Sequence, residues 1–212
     1  MKTAFEQSLD HAPVIALIDV DNPEQAFRAG TACWAGGFRL VAISSHLDAA
    51  PGIVSALGAR ADILVGLWDL KSMDRLEDFE KERIAFIFGG PSMLSQTQNA
   101  DFTFIPLTNA MNTIEENWSS VCLSSIEQLG GIDAVSTQRE RGPKSTLFVQ
   151  GRIGGDECAT YLEAGARALI LTNALMSPNL LNNGDYRSIR NYAAAVHQEA
   201  THLSRNAQEN TA

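Results

Sequence analysis

Eight short apolar runs, each followed by a helix-like stretch, repeat along the chain. Parallel strands that are buried on both faces read as continuous apolar runs, whereas half-exposed strands alternate apolar and polar residues. The predicted strands are Val14–Val20, Arg39–Ser44, Ile63–Leu67, Ile84–Phe88, Phe102–Leu107, Ser120–Leu123, Leu147–Val149 and Ala168–Leu171. Eight strand–helix units in 212 residues are typical of a closed barrel near the lower size limit of its class. We therefore predict the α/β fold class, as a (β/α)8 TIM barrel.

The length of the chain suits one barrel, and no linker-like stretch divides it. We therefore expect a single domain over residues 1–212. A short helix over about residues 4–10 is expected at the bottom of the barrel, the end at which the strands begin. A polar tail over about residues 205–212 is expected to follow the last helix.

The charge of the chain limits its partners. A formal net charge of -9 argues against a nucleic-acid partner, which would need clustered Lys and Arg residues. A small anionic ligand remains compatible with this charge, because one or two local cations and helix N-termini are able to hold a phosphate or a carboxylate.

Cysteine usage and apolar segments indicate the compartment. Cys33, Cys122 and Cys158 are an odd number of cysteines without metal-like spacing. The first residues carry no secretory apolar core, and no apolar stretch reaches the roughly 18 residues that a transmembrane helix needs. We expect reduced thiols, a cytoplasmic protein and no membrane contact. No motif specifies a cofactor, so none is predicted.

The connections that follow the strands differ in how strongly their sequences predict a helix. Asp21 is predicted to cap the helix that follows the first strand. Met73, Leu76 and Phe79 form an i, i+3, i+6 stripe, which predicts a third helix that packs on the core. Residues 126–138 read as one poor helix containing two glycines, followed by a solvated loop.

Barrels of this class carry their chemistry at the mouth, the end at which the strands finish. The catalytic candidates there are His46, Asp19 and Asp69. His46 is the only histidine at a predicted strand end, and histidine suits acid–base chemistry near neutral pH, whereas His197 and His202 are predicted to be surface residues of the last helix. Asp19 is either an acid of the site or a buried hydrogen-bond partner. The three candidates lack a ligand spacing, so no metal is predicted.

Arg152 is the one cation at a predicted strand mouth. Beside Gly151, and just before a helix, its guanidinium would suit a carboxylate or another oxyanion. The alternative is an internal salt bridge to an acid at the same mouth. Thr172 and Asn173 follow the eighth strand and complete the predicted substrate-binding residues, and a small anionic metabolite is the predicted ligand.

Several segments share a pattern with one family of small barrels. The segments are Pro13–Ala16, Asp21–Ala26, Ala35–Leu40, Phe148–Ile153, Tyr161–Ala166, Met176–Pro178 and Gly184–Tyr186. With them the chain resembles the 2-keto-3-deoxy-6-phosphogluconate (KDPG) / 4-hydroxy-2-oxoglutarate (KHG) aldolase family. The resemblance spans nearly the whole chain as a pattern, while residues 70–145 match only in the rhythm of strands and connections.

The resemblance implies a class I aldolase ancestry. In that family a lysine on strand six forms a Schiff base, a glutamate on strand two moves protons, an arginine holds the substrate carboxylate, and glycine pairs bind phosphate. Carried over onto this chain, the lysine falls on or beside Cys122 and the glutamate on Ala42. The remaining positions become His46 for the arginine, and Gly151-Arg152 and Thr172-Asn173 for the glycine pairs. The resemblance therefore implies a divergent member without the Schiff-base lysine and the acid–base glutamate.

Three functional hypotheses follow from these substitutions. The first is a divergent barrel without Schiff-base activity, which binds a small anionic metabolite or serves as a structural or regulatory subunit. The second is a working lyase that cleaves a 2-oxo acid to pyruvate and an aldehyde, with a lysine placed elsewhere or with a metal on Asp19, His46 and Asp69. The third is a different acid–base reaction, with His46 as the base and Arg152 holding a carboxylate.

The resemblance also implies an assembly. Members of the family are commonly homotrimers, so a homo-oligomer is predicted here. Trp34 and Trp118 are apolar candidates for such an interface, and the alternative for each is a place in the core.

Overall fold

The computed structural model of the chain describes residues 2–115 and 118–209. Eight parallel strands pair in chain order and close between the eighth and the first. They are β1 Val14–Ile18, β2 Leu40–Ser44, β3 Leu64–Leu70, β4 Ile84–Gly89, β5 Thr103–Thr108, β6 Ser120–Leu123, β7 Thr146–Gly151 and β8 Ala168–Leu171. The predicted (β/α)8 TIM barrel is confirmed, because each predicted apolar run overlaps one strand of the closed sheet.

Helices and 3-10 turns connect the strands around the outside. The α-helices are α1 Ala4–His11, α2 Pro23–Ala35, α3 Ala50–Gly58, α4 Ile126–Leu129, α5 Ile132–Arg141, α6 Cys158–Glu163, α7 Pro178–Asn182 and α8 Tyr186–Glu209. The 3-10 turns are Asp74–Asp78, Lys81–Arg83, Pro91–Gln96, Met111–Thr113 and Gly155–Glu157. Over the described part of the chain, no helix is both long and apolar enough to cross a membrane. Residues 205–209 of the predicted tail belong to α8 instead, and residues 210–212 lie outside the described residues.

The third connection is a 3-10 turn rather than the predicted α-helix. Leu76 and Phe79 are nonetheless buried, and Met73 packs against the core beside them. The prediction that this apolar stripe packs on the core is therefore confirmed. A spacing of three residues matches the three residues per turn of a 3-10 helix, in which side chains at i and i+3 lie one above the other. The short link between β3 and β4 thus buries the stripe in the tighter helix.

Two further predictions on helix ends were wrong. Asn22, not Asp21, caps α2, since its side chain accepts a hydrogen bond of 3.0 Å from the backbone N–H of Gln25. The poor helix over residues 126–138 is two helices, separated by Gly130 and Gly131 at φ +109° and +66°. α5 then runs on through the predicted loop to Arg141, because Gln138 is buried and fixes that turn against the barrel.

Helix α1 closes the bottom of the barrel. Its N-terminus carries a capping box, in which Thr3 and Glu6 satisfy each other's backbone N–H groups. Phe5 and Leu9 on its inner face are buried in the cluster that fills the barrel interior, and the Phe5 ring stacks on Phe86 with centroids 4.7 Å apart. The interior is therefore sealed at the end opposite the mouth.

The last helix, α8, places one histidine differently from the prediction. His197 was predicted to lie on the surface, but it is half-buried between the rings of Phe38 and His11. This burial, followed by the charges of His11 and Arg39, lowers the pKa of His197 below its usual value. His202 is exposed, as predicted.

Candidate functional site

A cavity of about 340 Å³ opens at the mouth of the barrel, between the ends of β1, β3, β7 and β8 and the helices α2 and α7. Parallel strands deliver the residues that follow them to one end of a barrel, which explains why these side chains converge. The cavity is lined by Leu17, Asp19, Val20, Gln25, Trp68, Gln150, Thr172, Asn173, Met176, Pro178, Leu181 and Asn182. Of the predicted site residues, Asp19, Thr172 and Asn173 lie in this lining, while His46, Asp69, Gly151 and Arg152 lie outside it.

Asp19 belongs to a short chain of polar contacts. The Nε2 atom of His46 lies 3.4 Å from an oxygen of Asp19, and the Nδ1 atom of the same ring lies 2.8 Å from the hydroxyl of Ser44. The Nδ1 atom and the Ser44 hydroxyl form a hydrogen bond, whereas the Nε2 atom makes a longer electrostatic contact with the Asp19 carboxylate. Ser44 is only 1% exposed, which keeps its hydroxyl away from any ligand in the cavity. Of these three residues, Asp19 is the one that lines the cavity.

Asp69 does not belong to this chain of contacts and pairs with a different residue. Its carboxylate pairs with the ammonium of Lys71 at 2.6 Å. The backbone of Asp69 has φ +58°, a left-handed value that side-chain-bearing residues rarely adopt, and it lies where the register of β3 against β4 is irregular. Over the described residues, no three His, Cys, Asp or Glu side chains converge in a way that would hold a metal ion.

Below the mouth, aromatic rings fill the barrel. The ring of Phe88 has its centroid 5.2 Å from that of Trp68, 5.7 Å from Phe148 and 5.8 Å from Phe86. Tilted and edge-to-face contacts at these distances are favourable for aromatic pairs. We call these four residues the aromatic column, which reaches Phe5 of α1 at the bottom. The barrel axis is thereby occupied by apolar rings from the cavity down to α1.

Cys122 and Ala42 belong to the same interior cluster and are fully buried. Burial in these apolar surroundings raises the pKa of the Cys122 thiol well above its usual value, because desolvation disfavours the thiolate. The thiol is therefore neutral and packs as a small apolar side chain.

Solved structures of other proteins share this fold. A KDPG aldolase from Legionella pneumophila, with pyruvate captured as a covalent carbinolamine, superposes with a TM-score of 0.81 at 18% identity and covers 93% of this chain and 100% of its own. The chain has the fold of the KDPG aldolases. The predicted likeness to the KDPG/KHG aldolases is thus confirmed for the fold.

Two other solved structures share the KDPG-aldolase fold with this chain. The KDPG aldolase of Zymomonas mobilis with 3-phosphoglycerate has a TM-score of 0.76 at 13% identity, over 92% of this chain and 95% of its own. A cube-shaped protein cage, designed by fusing symmetric oligomeric domains, has a TM-score of 0.75 at 16% identity, over 94% of this chain and 77% of its own. No family model matches the chain, and no curated protein matches it in sequence.

In this KDPG-aldolase fold, Gly151 faces outward from β7 rather than into the cavity. A Cβ atom at Gly151 would lie 2.5 Å from a carboxylate oxygen of Glu127 and 3.2 Å from the backbone nitrogen of Ile126. The glycine thus allows α4 to approach the strand closely. Arg152 is exposed, and its backbone N–H donates to Glu127 at 3.3 Å. Within the described residues its guanidinium forms no ion pair, since Asp19 and Asp69 have His46 and Lys71 as partners.

Strand ends alone miss two of the amide-bearing residues of the cavity, Gln25 and Asn182. Gln25 comes from the first turn of α2, and Asn182 from the end of the short helix α7. Helices that follow strands in a barrel begin at the mouth, so the first turn after Pro23 was a readable signal for Gln25. Asn182 was not predicted, because α7 is an additional helix between β8 and α8, although Ser177 and Pro178 are a readable signal for its start.

Proposed function

We propose that this protein is a KDPG/KHG aldolase-like barrel that has lost Schiff-base chemistry and binds a small metabolite at its mouth. The observation that carries the proposal is the aromatic column. At the depth where the family resemblance puts a lysine and a glutamate, this chain has Cys122 and Ala42, both fully buried among apolar residues. The Cys122 thiol does not form an iminium ion, and the Ala42 methyl group does not carry a proton to a substrate carbon.

The lysines support the same conclusion. The chain has four, at positions 2, 71, 81 and 144, and only Lys71 follows a strand at the mouth. Its side chain is 77% exposed and its ammonium contacts the carboxylate of Asp69. A Schiff-base amine needs a desolvated or electropositive surrounding, whereas the Lys71 ammonium is exposed and lies against a carboxylate.

The lyase alternative would require a metal where the lysine is missing. Asp69 would have to leave Lys71 and join Asp19 and His46 for such a site to form. We therefore propose ligand binding rather than cleavage of a 2-oxo acid. An anionic ligand, as the sequence predicts, would depend on Arg152 outside the cavity, since no cation belongs to the described lining, and the proposed ligand is therefore a small metabolite of unspecified charge.

Borohydride trapping tests the loss of Schiff-base chemistry. The protein is incubated with pyruvate and sodium borohydride, and the intact mass is read beside an active KDPG aldolase as the positive control. We expect the control to gain a reduced pyruvate adduct and this chain to gain none, because no amine lies in a site where an iminium would form. Stoichiometric labelling of any lysine, located by peptide mapping, would overturn the proposal.

We also propose that the protein is a homotrimer. The proposal is supported by the resemblance and by the likeness to a cage built from symmetric oligomeric domains. Light scattering coupled to size exclusion is expected to give about three times the chain mass of 22.9 kDa. A monomer mass at all concentrations would contradict it.

The two tryptophan candidates for an interface differ in burial. Trp118 is 7% exposed and belongs to the core, whereas Trp34 is half-buried under the guanidinium of Arg60.

A cytoplasmic location is part of the same proposal. Cys33, Cys122 and Cys158 are all unpaired and buried. Free buried thiols are compatible with a reducing compartment, in which disulfides are rare.

A further inference from the structure

The lining of the mouth cavity is rich in side-chain amides. Four of its residues carry amides and one carries a carboxylate: Gln25, Gln150, Asn173, Asn182 and Asp19. Among the described lining residues there is no lysine, arginine or histidine. An amide offers a donor and an acceptor within one group, and so does a hydroxyl. Such a surface therefore matches hydroxyl groups better than it matches phosphate or carboxylate oxygens, which only accept.

Hydrogen bonds to the surrounding protein leave donors and acceptors unused in the cavity. The Oε1 atom of Gln150 accepts from the backbone N–H of Ser125 at 3.1 Å, which leaves its amino group to donate. The Nε2 atom of Gln25 donates to the carbonyl of Leu181 at 3.5 Å, which leaves its oxygen to accept. Asp19 uses one oxygen toward His46 and keeps the other as an acceptor. Donors and acceptors thus stand side by side around one space.

The charges around the cavity disfavour an anion inside it. Asp19 is the one charged group of the described lining, and the chain carries a net charge of -9. The nearest lysine along β3, Lys71, is already paired with Asp69. A phosphate or carboxylate placed beside Asp19 would be repelled without a compensating cation.

An aromatic wall complements the polar groups. Trp68 lines the cavity and is 8% exposed, and its ring is fixed from below by Phe88. An indole face offers apolar contact to the C–H groups of a compact ring or chain, while its own position is held by packing. A volume of about 340 Å³ lies at the small end of the range for ligand pockets, about 300–1,000 Å³.

We propose that the mouth cavity binds a neutral polyhydroxylated molecule of pentose or hexose size, either an aldose or a polyol. The proposal rests on the proposed function only in placing the ligand at the mouth. Asp19 and the oxygen of Gln25 accept from ligand hydroxyls, and the amino group of Gln150 donates to one. Trp68 contacts the carbon skeleton.

Titration calorimetry on the full chain tests the ligand class. The neutral probes are D-glucose, D-ribose and sorbitol, and the charged probes are D-gluconate, the phosphate ester of glucose, and putrescine. We expect at least one neutral probe to bind with a Kd at or below about 1 mM. The three charged probes are expected to bind at least about tenfold more weakly than that neutral probe. Tighter binding of gluconate, the phosphate ester or putrescine would overturn the proposal, as would no binding of any neutral probe.

Two lining variants and one control variant locate the binding. Asp19→Asn is expected to weaken the binding of the neutral probe by about ten- to a hundredfold. The reason is that a hydrogen bond to a charged acceptor becomes a hydrogen bond to a neutral amide. Asp48→Asn removes the same charge from an exposed residue near the mouth that is not part of the lining, and its affinity is expected to be unchanged. Gln150→Leu is the second lining variant, in case circular dichroism finds Asp19→Asn unfolded. Equal affinities in all three variants would place the ligand elsewhere and overturn the proposal.

The two proposals fail separately. A pyruvate adduct after borohydride treatment would remove the proposed function whatever the sugar titration gives. If no neutral probe binds, the inference on the ligand class is wrong, and the result of the borohydride trapping is unaffected.

Discussion

Replacing Phe88 with alanine is expected to lower the free energy of unfolding by about 3–5 kcal/mol. Phe88 is fully buried, and its ring contacts Trp68, Phe86 and Phe148 at centroid distances from 5.2 to 5.8 Å. Truncation removes the centre of the aromatic column and leaves a cavity that the closed barrel is poorly able to collapse, because its strands are fixed by pairing on both sides. Urea unfolding followed by circular dichroism measures the change.

Ile132→Ala is the matched control for this substitution. Ile132 is 38% exposed at the start of α5, so its truncation is expected to change the stability by no more than about 0.5 kcal/mol. If Phe88→Ala were as mild as the control, the barrel axis would not be tightly packed. The absence of Schiff-base chemistry would then need a different explanation from the one based on the aromatic column.

Most of the sheet was predictable because its strands are buried on both faces. β6 and β8 coincide with their predicted runs, since apolar residues begin and end where pairing does. β3 continues three residues beyond the predicted end at Leu67, through Trp68 and Asp69. An aspartate in a strand argues against continuation, and the left-handed backbone at Asp69 depends on the tertiary surroundings.

The site was predictable in part, from the residues that follow the strands. The residues that follow β1 and β8 gave Asp19, Thr172 and Asn173, because strand ends meet at one mouth. The aromatic column was not predicted, although Phe86 and Phe88 are two residues apart on β4 and therefore share a face. In a strand with apolar residues on both faces, sequence does not tell which face points into the barrel.

Placing a lysine at position 122 is expected to destabilise the barrel rather than to restore an aldolase. Cys122 is fully buried beside apolar residues of the interior, and the resemblance puts the missing glutamate at Ala42, which supplies no carboxylate. An ammonium there would be desolvated without a partner, and its longer chain would displace rings of the aromatic column. Cys122→Lys is expected to lower the free energy of unfolding by more than about 3 kcal/mol, measured by urea unfolding.

Cys122→Ala is the control, because it removes the thiol without adding charge or length. Its expected loss of about 1 kcal/mol would separate the effect of the new ammonium from that of the lost sulfur. If Cys122→Lys instead folded with unchanged stability and trapped pyruvate with borohydride, the interior would be open to substrate. The lysine would then be the only part missing, and packing would not be what keeps this barrel from Schiff-base chemistry. A stable variant that traps no pyruvate would mean that the aromatic column accommodates the lysine but still excludes the substrate.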